Sequence, residues 1–182
     1  MKKTGFVVLF LILFATLAGA QIPSGNVFFG YSYYSTDLSS INRVNTNGWE
    51  ASVEGKIIPF LGMVADFDGH YGSQSFGTVC AVGGICTFNA SFTENNYLFG
   101  PRVSVSVAKL RPFAEVLVGA AHVNVNNGFG SDTSFADAIG GGVDYKFFHL
   151  LAWRLQGDYV GTRLLGATQN NVRISTGIVV RF

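Results

Sequence analysis

The sequence predicts an all-β protein, an eight-stranded antiparallel up-and-down transmembrane β-barrel. Three observations carry that expectation. Eight segments alternate apolar with polar residues at the two-residue period of a strand whose faces meet different surroundings. The connections between them alternate between long and short, which gathers the long ones at one end of the array. The chain stops on VRISTGIVVRF, where Val172, Ile174, Thr176, Ile178, Val180 and Phe182 share one strand face and Arg173, Ser175, Gly177, Val179 and Arg181 share the other.

A leader precedes the first strand. Met1-Lys2-Lys3 is a basic start, residues 6–17 are an apolar run, and Ala18-Gly19-Ala20 is a small-residue cleavage site before Gln21, the three parts of a secretory signal peptide. The apolar run is shorter than the ~20 residues a spanning helix needs, so a retained anchor is the poorer reading. Residues 1–20 are therefore expected to be removed after Ala20, leaving 21–182 as one barrel domain.

The strands are expected at about 26–34, 48–58, 61–71, 97–107, 112–123, 135–146, 152–162 and 172–182, close to the ~9–11 residues of a tilted membrane strand. The second shows the pattern best: Trp49, Ala51, Val53, Gly55 and Ile57 alternate with Glu50, Ser52, Glu54 and Lys56. Long connections are expected at 35–47, 72–96 and 124–132, an intermediate one at 163–171, and short turns at 59–60, 108–111 and 147–150. An even strand number puts both termini on the short-turn side, which suits a chain delivered from the periplasm. Pro101 removes a ladder donor within the fourth strand, and a local bulge is expected there.

Alternation alone does not separate a membrane barrel from a soluble lipocalin-like one, since the two differ in which face points outward. Four features favour the membrane. The polar face carries both signs of charge at mid-strand, among them Glu54, Asp66, Arg102 and Arg173. It is also rich in small residues such as Ser52, Gly62, Ser106, Gly119 and Gly140, as a narrow interior requires. The apolar face sets Trp49, Tyr97, Phe99, Tyr145, Trp153, Tyr159 and Phe182 near strand ends, where an interface holds amphipathic rings. No helical period follows the leader, whereas a lipocalin-like module adds a helix outside its barrel.

Enclosure dictates the chemistry of the polar face. Unpaired buried charge is very costly, so Glu54, Asp66, Asp68, Glu115, Asp144 and Asp158 are expected to pair with Lys56, Arg102, Arg154, Arg173 and Arg181 in a network that fills the lumen. Such a network either plugs the barrel or forms an ion pathway. The small interior of eight strands favours the plug.

Other function classes find less support. Losing the leader takes away two lysines and no acid, shifting the formal charge from +1 to −1 and leaving no basic stripe for nucleic acid. Cys80 and Cys86, in CAVGGIC of an exported chain, are expected to form a disulfide closing a small surface loop; a metal pair would want more ligands than this stretch offers. His70 and His122 are expected near outer strand ends and His149 in a short turn, none with a nucleophile-elbow motif, so no enzyme activity is expected. GGGVDYK lacks the P-loop spacing, and its glycines are read as permitting close approach within a strand. No cofactor or metal is expected.

The final strand, with Ile174, Ile178, Val180 and Phe182, resembles the C-terminal assembly signal of bacterial outer-membrane proteins. Together with NGWEASVEGKI, GMVADFDGHYG, YLFGPRVSVS, PFAEVLVGAAH and FADAIGGGVDYK, it resembles the small outer-membrane β-barrel family of OmpA-, OmpX- and opacity-type architecture over most of the mature chain. That resemblance implies an outer-membrane address, contact with outer-membrane lipid and delivery by the assembly machinery. It implies little biochemistry, because most such members have no assigned activity. The expected role is structural or surface-interacting, with a narrow porin-like channel as the alternative, and the outer loops leave an extracellular ligand open. The cysteine insert departs from the family pattern, and no cell-wall-binding domain of the kind attached to OmpA itself is expected after the barrel.

Overall fold

A computed structural model describes residues 24–36, 43–79, 85–125, 130–164 and 168–182, with the backbone alone at 74–79 and 85–90. The leader, its cleavage site and Cys80 lie outside the described residues, and with them the expected signal peptide and disulfide.

Eight antiparallel strands follow one another around a closed barrel: β1 (Gly25–Thr36), β2 (Val44–Ile58), β3 (Leu61–Val79), β4 (Ile85–Ser104), β5 (Leu110–Val125), β6 (Gly130–Lys146), β7 (Leu151–Thr162) and β8 (Gln169–Arg181). Each strand pairs with its sequence neighbours, and β8 returns to β1 through Val27↔Val180, Phe29↔Ile178 and Tyr33↔Ile174. This is the expected up-and-down topology. Beside the last pairs, Gly25 N–H donates to the Phe182 carbonyl at 2.9 Å and Phe182 N–H to the Gly25 carbonyl at 3.1 Å. The C-terminal strand is therefore a paired member of a sheet without edges, the only form in which strands are tolerated in hydrocarbon.

The two faces separate as the alternation requires. Phe29, Ile139, Phe99, Val116, Ile174 and Phe182 are 49–63% exposed, while Glu54, Asp66, Arg102, Arg154 and Arg173 on the opposite face are at most 1% exposed. Trp49, Tyr97, Tyr145, Trp153 and Tyr159 all point outward. The interior is not wholly polar: Val64, Leu98, Leu117 and Val160 form an apolar wall on the β3–β7 side. Charged groups are thereby crowded toward the remaining space.

Two expectations about the strands themselves need correcting. The stretch 72–96 is not a loop, because β3 continues to Val79 and β4 begins at Ile85, with Gly72↔Phe92 through Val79↔Ile85 in unbroken register. Its Ser, Thr, Asn and Gly content hid the strands: 72–79 departs from clean alternation, and the alternation of 86–92 is short. Nor is there a bulge at Pro101. Pairing with β3 runs straight through Met63↔Pro101; toward β5 it stops at Phe99↔Val118 and resumes at Arg102↔Glu115 in the same register. The missing donor costs ladder pairs on one side and no extra residue is inserted. The register does shift elsewhere, between Lys56 and Ile58 beside the 59–60 turn.

Small residues set how closely the wall and its contents approach. A Cβ on Gly119 would lie 1.9 Å from the Tyr97 carbonyl oxygen, and one on Gly140 1.9 Å from Asp158 Oδ1, so the second glycine makes room for an interior carboxylate. Ser106, read as interior, is instead exposed beside the 108–109 turn because β4 ends at Ser104.

Candidate functional site

Inward phase on eight strands delivers ionisable side chains to one enclosed column. At the short-turn end, Glu54 on β2 is the hub: Lys56 Nζ lies 2.8 Å from it, Arg111 Nη2 2.9 Å and Arg102 Nη1 3.4 Å, and Asn26 donates to it at 2.7 Å. Asp144 on β6 receives Arg154 Nε at 2.7 Å and Arg181 Nη2 at 3.2 Å. Rings complete this layer. The Arg154 guanidinium sits 4.6 Å from the Phe113 centroid and 5.0 Å from that of Phe28, and Arg102 lies 4.4 Å over Phe113, so aromatic faces meet parts of the cations that carboxylates leave free.

At mid-height Arg102 binds Glu115 at 2.6 Å, and Gln156 donates to Glu115 and Asp158 at 2.9 Å each. Above them, Arg173 on β8 gathers four carboxylates from three other strands: Asp66 at 2.7 Å, Asp158 at 2.8 Å, Glu50 at 3.4 Å, and Asp68. Ser175 donates to Glu50, tying β8 to β2 a second time. One guanidinium thus spans the lumen.

The outer layer is neutral in larger part. Asn96 donates to Asp68 at 2.8 Å, Tyr34 to Glu94 at 3.2 Å and Asn171 to Tyr34 at 2.9 Å. His70 stacks on Tyr34 with ring centroids 4.6 Å apart; its Nε2 is 2.9 Å from Ser32 Oγ and its Nδ1 3.0 Å from Asp68 Oδ1. Read as an outer rim residue, His70 is instead fully enclosed, as are Ser32 and Asp68 beside it. His122 points outward, 2.7 Å from Thr133 Oγ1, and His149 is exposed in the 147–150 turn.

The structure brings Glu54, Lys56, Asp66, Asp68, Arg102, Glu115, Asp144, Arg154, Asp158, Arg173 and Arg181 into the same lumen, Arg181 the most open at 21% side-chain exposure. Ile174, Ile178, Val180 and Phe182 form the outward face of the last strand. Sequence reasoning left out Glu50, Arg111 and Glu94. Glu50 lies in phase with Glu54, so the alternation already placed it inside. The turn expected at 108–111 covers Arg111 and the long connection expected at 72–96 covers Glu94, yet both residues belong to strands that run further than their alternating cores.

A closed eight-stranded up-and-down barrel with an apolar exterior and an ion-paired interior is the fold of the small outer-membrane β-barrels, and solved structures agree. The chain is similar to Neisserial surface protein A (NspA), with a TM-score of 0.68 and 12% identity over 87% of this chain and 97% of that one. It is also similar to Ail, the attachment invasion locus protein of Yersinia pestis, solved in complex with the heparin analogue sucrose octasulfate, with a TM-score of 0.60 and 13% identity over 87% of this chain and 98% of that one. The outer membrane protease OmpT from Escherichia coli matches at a TM-score of 0.50 and 9% identity, over 89% of this chain and 98% of that one. No protein-family profile and no curated protein sequence matches the chain.

Proposed function

We propose that this chain is an exported outer-membrane protein whose barrel is a closed scaffold with a structural or surface-interaction role, its lumen filled by the ion-paired network and not by a water column. The observation that carries this reading is the burial of three arginines, Arg102, Arg154 and Arg173, each at 0% exposure and each held by carboxylates from other strands. Eight strands enclose an interior that side chains can fill, and here they cross it. The alternating C-terminal face fits delivery by the outer-membrane assembly machinery after cleavage at Ala20. The β3–β4 hairpin and the other long connections supply the surface that an extracellular ligand would meet. The barrel's role needs no catalysis and no cofactor.

Planar-bilayer conductance of the refolded protein tests it, with heat-modifiable gel migration as the folding control. Membranes bearing folded protein are expected to show no stable open level. A steady, voltage-independent open pore from pure protein would replace the scaffold with the narrow-channel alternative.

A further inference from the structure

The enclosed charges are unevenly distributed along the barrel. Near the long connections, Arg173 is the one arginine or lysine among the described residues that pairs with Glu50, Asp66, Asp68 and Asp158. At the short-turn end the balance reverses: Lys56, Arg102, Arg111, Arg154 and Arg181 face Glu54, Asp144 and, through Arg102, Glu115. Among the side chains of the described residues, cations outnumber carboxylates there.

The hydrogen bonds show the same deficit independently. Lys56 Nζ, Arg111 Nε and Arg111 Nη2 approach the single hydroxyl of Ser104 at 2.6, 3.0 and 2.9 Å, although a hydroxyl oxygen offers only two lone pairs. Among the described residues no hydrogen-bond acceptor reaches the buried Arg181 Nε, nor Arg154 Nη1, which meets aromatic faces instead. Buried donors of this kind are rare and costly, more so when charged. Three of the cations also reach the mouth. Lys56 is the third residue from the end of β2, Arg111 the second of β5 and Arg181 the last of β8, with side chains 10%, 10% and 21% exposed. Arg181 binds Asp144, the cross-strand partner of Arg111, which places the two cations on the same side of the mouth.

We propose that an oxyanion, a phosphate or carboxylate group, binds at the short-turn mouth of the lumen between Lys56, Arg111 and Arg181. It supplies acceptors that Ser104, Glu54 and Asp144 cannot, and its charge offsets the surplus. Arginine forks suit such a ligand because they meet two oxygens at once. A lipid headgroup phosphate at the inner interface and a free phosphate present the same chemistry.

The test uses the full chain refolded in phosphatidylcholine nanodiscs, with inorganic phosphate titrated at constant ionic strength against a chloride control and the arginine Nε–H resonances followed by NMR. A saturable shift is expected, weakened about tenfold by Arg181→Gln, as for loss of one charge-assisted hydrogen bond, and unchanged by Arg43→Gln at the opposite end. A second sample in phosphatidylglycerol nanodiscs without phosphate assigns the source: movement of the same resonances makes the headgroup the occupant. The phosphate arm needs only the folded barrel, while the lipid arm rests also on the membrane reading, so phosphate binding without a lipid response leaves the site standing with a soluble anion. Shifts no larger than those with chloride in both arms overturn the proposal, as does undiminished phosphate binding in Arg181→Gln or, should that variant not refold, in Lys56→Gln.

Discussion

Replacing Arg173 with methionine is expected to leave little folded barrel at neutral pH, seen as loss of the heat-modifiable compact band and of cooperative unfolding. The side chain is fully buried and is the shared cation of Glu50, Asp66, Asp68 and Asp158. Removing one partner of a buried ion pair costs about 3–5 kcal/mol because the other charge is stranded; here four carboxylates lose their common cation. A whole domain is stable by only about 5–15 kcal/mol. The sign with pH follows from the same charges. Without the guanidinium the carboxylates repel, and protonation relieves them, so the variant should regain folding as pH falls toward the ordinary carboxylate range of about 4. Equal folding of Arg173→Met and the parent at pH 7 would remove the cluster from any structural role.

Val116→Arg is expected to cost about 2–4 kcal/mol, the range for an arginine on the lipid face near the bilayer midplane. Val116 is 52% exposed and pairs with Ile139, both well away from the ends of their strands. Were this face in water, an arginine there would change stability by no more than about 0.5 kcal/mol. Equilibrium unfolding by guanidinium in lipid vesicles measures the difference, with Val116→Leu as the neutral control.

What the sequence disclosed depended on how cleanly each stretch alternates. In β2, Trp49 to Ile57 reads inside and outside without ambiguity, and the same holds for the strand that ends the chain. Two-residue periodicity thus sufficed to place Glu54, Arg102, Arg154 and Arg173 on one face. It failed where strands leave the region in which one face must be apolar. Residues 72–79 carry Gly, Ser and Thr at both sets of alternate positions, and although 86–92 do alternate, the run is short and set among Gly and Asn, so the pairing of the two segments is what reveals them as strand. Arg111 escaped for a related reason: a turn signal at Lys109 obscured that the inward phase of Phe113 and Glu115 already includes it. Partner choice was out of reach altogether. That Arg173 reaches β2, β3 and β7 depends on the stagger of strands around the barrel, which no single segment encodes.

Hydrocarbon is expected to surround this barrel, with its acids and bases enclosed. Spin labels at Val53 and Ile178, read for collision with oxygen and with a water-soluble nickel chelate in lipid vesicles, test it most directly. Both side chains are more than 40% exposed on the outward face, paired to Ala65 and Phe29 respectively. High oxygen and low nickel accessibility at both sites is the predicted result; nickel accessibility equal to that of a label in free solution would contradict it.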